Sequence, residues 1–109
     1  MTYSEYFSSV KTKFMGADVS DIKEHLTYQF NIVGDASGIF YVEIKDGQLF
    51  IEPYEYYDRD VMFTATADVF NKIMDGKLDP VVAFTLQQLK VEGNIDKALK
   101  FNELTKRRA

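Results

Sequence analysis

Tyr3, Tyr6, Phe7, Val10 and Phe14 recur at helical spacing and share an arc of roughly 100°, flanked by Lys11 and Lys13. This predicts an amphipathic helix closed by Gly16. Packing on a sheet is a simpler use of that face than lying on a membrane. Asp18 to Glu24 is expected to add a second short helical turn. The period then changes to two. Leu26, Tyr28, Phe30 and Ile32 alternate with Thr27, Gln29, Asn31 and Val33, the pattern of a half-buried strand. After a turn over Gly34 to Gly38, the strand Ile39 to Lys45 sends Phe40, Val42 and Ile44 to one face. Asp46-Gly47 supplies the positive φ angles of a tight hairpin. Gln48 to Glu52 returns with Leu49 and Ile51 inward, and Pro53 stops it. The three strands read as an antiparallel meander.

Tyr54-Glu55-Tyr56-Tyr57-Asp58 alternates aromatic and acidic residues, and is expected to pack on the sheet edge or else to rim a ligand entrance. Val61 to Thr66 has strand character, after which Thr66 or Asp68 caps a helix burying Val69, Phe70, Ile73 and Met74 and ending at Gly76. Asp79-Pro80 is an N-cap followed by proline at the first helical position. The helix it opens, to about Leu86, is apolar almost all round, so it must be covered on every side or face a cavity on one. Phe84 is accordingly expected inside, where an aspartate would be desolvated. Leu89 and Val91 make a brief strand, and Asn94 caps a final helix reaching about Arg107. Its Ile95, Ala98, Leu99, Phe101 and Leu104 spread wider than packing on one flat sheet needs. A block of strands followed by strands alternating with helices predicts an α+β fold. Residues 1–109 then form one domain, a mixed five-stranded sheet with helices packed on it.

Composition narrows the function. A formal net charge of −4 argues against nucleic acid, which requires a basic stripe. The basic run Lys106-Arg107-Arg108 suits the negative end of a helix dipole, with weak attraction to anionic membranes as the alternative. No cysteine is present, which removes disulfides, thiolate nucleophiles and thiolate metal sites. Neither a signal peptide nor a run of ~20 apolar residues is visible, so a cytoplasmic protein is expected. Aromatics reach 15%, all Phe and Tyr; such rings fill cores and also line apolar cavities.

Candidate chemistry is sparse. His25 is the single histidine, and spacing gives it neither a nucleophile nor an orienting acid. Asp58 with Asp60, or Asp75 with Asp79, lacks the further ligands a hard cation needs. No phosphate loop occurs. Binding without metal, cofactor or catalysis is the expectation.

One ordered set of short motifs remains. Gly38 to Gly47 is a strand with Phe40 as its aromatic, ending in Asp-Gly; Asp60 precedes a strand holding Thr64 and Thr66. Then come Gly76-Lys77-Leu78-Asp79-Pro80, Ala83-Phe84 and Leu89-Lys90-Val91-Glu92-Gly93-Asn94. In this order and spacing the chain resembles the sterol carrier protein-2 family from about Leu26 to Leu104. The resemblance implies an apolar tunnel between the sheet and the later helices. Its walls would be Phe40, Val42, Phe63, Phe70, Ile73, Met74, Val82, Phe84, Leu86, Leu89, Phe101 and Leu104. The same side chains would serve equally as ordinary core.

The implied partner is one lipid: a fatty acid, fatty acyl-CoA, sterol-like molecule or isoprenoid, exchanged through transient contact with a membrane surface. The alternative is a non-catalytic accessory or docking domain for a lipid-modifying enzyme. Gln87-Gln88 stands where the family commonly has Gly-Lys, and Phe40 where many members carry tryptophan; both bear on ligand preference. The ending Arg107-Arg108-Ala109 is not a Ser-Lys-Leu peroxisomal signal. Burying about 14 methylenes gains on the order of 11 kcal/mol. Association costs at least roughly 4. The remainder corresponds to dissociation constants near 10 μM or tighter, on that order of magnitude.

Overall fold

The computed structural model describes residues 2–14, 18–34 and 37–105, except for the side chains of residues 13, 14, 104 and 105. Gly16, the middle of the Gly34 to Gly38 turn, and the Lys106-Arg107-Arg108 end therefore lie outside the described residues, as do the side chains of Lys13, Phe14 and Leu104.

Five strands form one sheet: β1 (Leu26–Val33), β2 (Gly38–Lys45), β3 (Gln48–Glu52), β4 (Val61–Thr66) and β5 (Lys90–Gly93). Their spatial order is β3-β2-β1-β4-β5. The expected meander is present, with β1–β2 and β2–β3 antiparallel. Asp46 (φ 55°) and Gly47 (φ 74°) make its two-residue hairpin, leaving Lys45 opposite Gln48. β4 then lies beside β1 in parallel, and β5 pairs antiparallel with β4. Four helices, α1 (Tyr3–Phe14), α2 (Ala67–Met74), α3 (Pro80–Thr85) and α4 (Ile95–Thr105), complete the α+β architecture.

α1, α2 and α4 pack on the sheet face carrying Phe30, Phe40 and Phe63. Phe7 of α1 meets Phe40 at 5.7 Å between ring centroids, Phe70 of α2 meets Phe30 at 5.4 Å, and Phe101 of α4 meets Phe63 at 5.3 Å. This aromatic layer is the centre of the core.

Two expectations need correction. Asp18 to Glu24 forms no helix. The Asp18 carboxylate accepts the Ser20 N–H at 3.0 Å and the Ser20 hydroxyl at 2.7 Å, a local turn that competes with helical bonding. Val19 then drops into the core. The aromatic–acidic loop neither lines an edge nor rims an entrance; it covers the sheet face away from the helices. The Tyr56 N–H donates to Gln29 Oε1 at 3.1 Å, its ring stands edge-on to Tyr41, and its hydroxyl donates to Glu43 at 2.9 Å. β1 is therefore buried on both faces, Thr27 and Gln29 included, rather than half-buried.

Asp60 ties the sheet to α4. Its Oδ2 accepts the Thr27 N–H at 3.0 Å, Oδ1 lies 3.0 Å from Lys97 Nζ, and its carbonyl accepts the Asn94 N–H at 2.9 Å. Partial burial pushes the carboxyl pKa up. The bonds from Lys97 and Thr27, with the Lys97 charge, outweigh that and hold it below the ordinary 3.8. A pKa depressed by folding stabilises above the unfolded value and stops doing so as pH falls through the folded one. Asp60→Asn should thus cost about 1–2 kcal/mol at neutral pH. In urea titrations its deficit against wild type should shrink below pH 3.8; a deficit constant to pH 2 would contradict the charge-based account.

Candidate functional site

Three local structures build the site. Thr66 caps α2 by accepting the Val69 N–H at 3.3 Å, and the helix buries Phe70, Ile73 and Met74 against the aromatic layer. Asp79 caps α3 by accepting the Val81 N–H at 2.7 Å, with Pro80 at the first helical position. Beyond Leu86, Gln87 takes φ 61° and reverses the chain, so that the Gln88 and Leu89 N–H groups both return to the Ala83 carbonyl. That reversal sends Leu89 into the core. α3 is held to the body by the fully buried Ala83, a small residue.

The rest of α3 is left open. Val81, Val82, Phe84 and Leu86 are each about half exposed, which corrects the expectation that Phe84 is interior. Across from α3 stands α4. Asn94 caps it, accepting the Lys97 N–H at 3.1 Å, and Phe101 roots it among Tyr28, Phe30 and Phe63. Earlier on the same helix, Ile95 and Leu99 stand in solvent, also about half exposed.

Between the helices lies an open-sided cleft of about 230 Å³. Val81 and Phe84 form one wall, Ile95, Ala98, Leu99 and Asn102 the other, and Phe63, Leu89 and Val91 the floor. The lining is apolar almost throughout. Beneath it, among the phenylalanines, is a void of about 20 Å³ that shares Phe63, Pro80, Leu89, Ala98 and Asn102 with the cleft. Among the described residues this is a cleft above a pinched interior, and no continuous tunnel is formed.

The expected wall residues divide accordingly. Phe63, Phe84 and Leu89 line the cleft; Phe40, Phe70, Ile73, Met74 and Phe101, again with Phe63 and Leu89, line the void. Val42 is buried core touching neither space, and Val82 and Leu86 are exposed outside both. Leu104 sits on α4 with its side chain undescribed. Sequence reasoning missed Val81, Ile95 and Leu99 as lining. A signal existed: Ile95 and Leu99 are one helical turn apart and account for the excess width of the α4 apolar arc.

His25 has an acid partner that spacing did not reveal. Its Nε2 lies 2.6 Å from Glu43 Oε2, the carboxylate that also accepts the Tyr56 hydroxyl. Burial first, then the Glu43 bond and charge, push that phenol up to about 12, so it stays protonated at neutral pH. The trio lies on the opposite face of the sheet from the cleft, serves to clamp the loop, and faces no cleft-bound molecule. Among the described residues no cluster of three His, Cys, Asp or Glu side chains is placed to hold a metal ion. No described helix is long and apolar enough to cross a membrane.

Comparison with known proteins gives a consistent set of relatives. Residues 11–106 match the SCP-2 sterol transfer family. Hydroxysteroid dehydrogenase-like protein 2 of Mus musculus is 36% identical over 78 residues, covering 71% of this chain. The chain spans only 16% of that protein's length. Sterol carrier protein 2 of Arabidopsis thaliana is 32% identical over 90 residues, covering 79% of this chain and 72% of the relative. Palmitated SCP2L2 from Aedes aegypti superposes with a TM-score of 0.69 at 22% identity, covering 96% of this chain and 95% of that one. The last comparison establishes likeness of fold.

Proposed function

This chain belongs to the SCP-2 sterol transfer family, whose fold is that of a lipid-binding carrier, and on that premise we propose that the α3–α4 cleft takes up its lipid. The carrying observation is that Val81, Phe84, Ile95 and Leu99, all about half exposed, face one another across a nearly wholly apolar floor. Large apolar side chains gathered in solvent mark a surface awaiting an apolar partner. The cleft is slightly smaller than the ~300–1,000 Å³ of typical ligand pockets, so a long chain would also draw on the void beneath. Phe40, Phe63, Phe70, Ile73, Met74, Leu89 and Phe101 would then become walls as α3 moves outward. Ala83 is a small anchor for such a movement.

In this reading residues 1–109 form a single, non-catalytic, cytoplasmic lipid-binding domain. Its ligand is a fatty acid, an acyl-CoA, a sterol-like molecule or an isoprenoid. The absence of cysteine is compatible with that compartment. A second reading, an accessory domain docked on a lipid-modifying enzyme, is favoured by one observation: the mouse relative carries the matching segment within a much longer protein.

A fluorescent fatty-acid probe added to lipid-stripped protein should bind saturably at about 1:1 in the micromolar range. Phe84→Asp or Leu99→Asp should weaken it by roughly tenfold or more, with far-UV circular dichroism unchanged, because at these half-exposed positions a carboxylate stays hydrated until a lipid covers it. Tyr57→Asp, on the loop across the sheet and 85% exposed, should leave binding intact. Failure of the wild type to take up any probe would favour the docking-domain reading.

A further inference from the structure

One polar atom is out of keeping with the interior. Tyr6 on α1 is fully buried, and its hydroxyl meets no hydrogen-bond partner among the described residues. Its side chain lines the inner void together with Phe30, Phe40 and Phe70. Buried hydroxyls left unpaired are destabilising and few in native interiors. Phenylalanine would fill the same space without that cost. Two other tyrosines of the helix-facing side show the ordinary arrangement: Tyr3 donates to the Ile39 carbonyl, and Tyr28 to the Lys97 carbonyl at 2.7 Å. A resident water is a poor remedy, because it needs two to four polar partners and this void is walled almost wholly by apolar side chains. Whatever satisfies Tyr6 must bring its own acceptor.

We propose that the Tyr6 hydroxyl donates to a neutral oxygen at the buried end of the bound lipid, selecting chains with a carbonyl, ester or hydroxyl there over plain hydrocarbon. This rests on the cleft being the lipid site. The floor shared by cleft and void, Phe63 and Leu89, is what a ligand displaces to reach Tyr6. The oxygen is neutral because, among the described residues, no lysine or arginine lines either space to pair with a buried carboxylate. A fatty acid would therefore keep its carboxylate at the mouth. Burial also holds the Tyr6 phenol proton far more tightly than usual, so the group remains a donor at neutral pH.

The test uses two chain-matched ligands, 2-dodecanone and dodecane, as competitors of the fluorescent probe on wild type and Tyr6→Phe. The ketone-to-alkane affinity ratio in wild type, divided by that in the variant, cancels their different solubilities in water. We expect about 5- to 10-fold, the size of one neutral hydrogen bond. Lipid-stripped Tyr6→Phe should melt no lower than stripped wild type, since no bond is lost. A double ratio near one, with both ligands still bound, overturns the assignment and leaves the lipid site standing. Melting several degrees lower in the stripped variant overturns it too, by showing a partner in the empty protein. If wild type takes the probe but neither competitor, the assignment also falls. If it takes no probe at all, the cleft reading fails first and the Tyr6 assignment with it.

Discussion

Phe101→Ala is expected to destabilise the domain by about 3–5 kcal/mol, a large share of the 5–15 typical of a small protein. Phe101 is 6% exposed, and its ring centroid lies 5.0 Å from Tyr28, 5.1 Å from Phe30 and 5.3 Å from Phe63. Truncation removes three ring contacts at once and opens a cavity where the phenylalanines cannot readily collapse. The loss also unseats α4, because Ile95 and Leu99 on the same helix are turned toward the cleft and give little hold on the sheet. Leu99→Ala, by contrast, should cost well under 1 kcal/mol, because that side chain is about half in water already. Urea titration of both variants decides the matter. Similar midpoints would mean that Phe101 does not root the helix. The resemblance set Phe101 among the expected tunnel walls; in the folded protein it lines the inner void, while Ile95 and Leu99 line the open cleft above.

Hairpins and caps are legible in a sequence because their determinants are local. Asp46-Gly47 adopts the positive φ angles its residue types favour, and Asp79-Pro80 opens α3 as its pairing of N-cap and proline requires. The period-two strands are legible for the same reason. What alternation does not encode is which strand lies beside which. The parallel pairing of β4 with β1 depends on the loop after Pro53 crossing the back of the sheet, where Tyr56, Gln29 and Glu43 find partners distant in sequence. Thr27 and Gln29 look like solvent-facing residues until that loop covers them.

The site was legible in its materials and not in its geometry. An all-apolar α3 implied either full cover or a cavity, and the structure supplies a cleft on the Val81–Phe84 side. Which apolar residues are packed, which line space and which stand outside is decided by the angle at which α3 leaves the body. That angle depends on Ala83 underneath and on the reversal at Gln87. Val42, Val82 and Leu86 were grouped with the lining because hydrophobicity alone cannot separate the three situations. Tyr6 shows the same boundary from the other side. Its place on the buried face of α1 follows from spacing, whereas the lack of a partner for its hydroxyl is a fact of the assembled interior.

Gly93→Ala is expected to cost about 3 kcal/mol or more and to loosen both the β5 edge and the start of α4. Gly93 sits at φ +111°, a conformation that already costs an L-residue on the order of 1–3 kcal/mol. Space adds to this. A Cβ there would lie 2.3 Å from the Asp60 carbonyl oxygen and 3.1 Å from the Val61 Cα, both backbone atoms of the paired strand. Neither can swing aside as a side chain might, so β5 must move away from β4. Doing so stretches the Asn94 N–H bond to Asp60 and displaces the residue that caps α4. Through Lys97 it also disturbs the Asp60 ion pair. Because α4 is one wall of the cleft, probe affinity should fall along with stability. Gly76→Ala separates the two causes: its φ is +76°, but a Cβ there meets nothing within 4 Å. That variant should lose only the conformational part, about 1 kcal/mol, and bind probe as wild type does. Equal losses at the two glycines would show that backbone conformation alone sets the cost, and that the close approach of Gly93 to Asp60 contributes nothing.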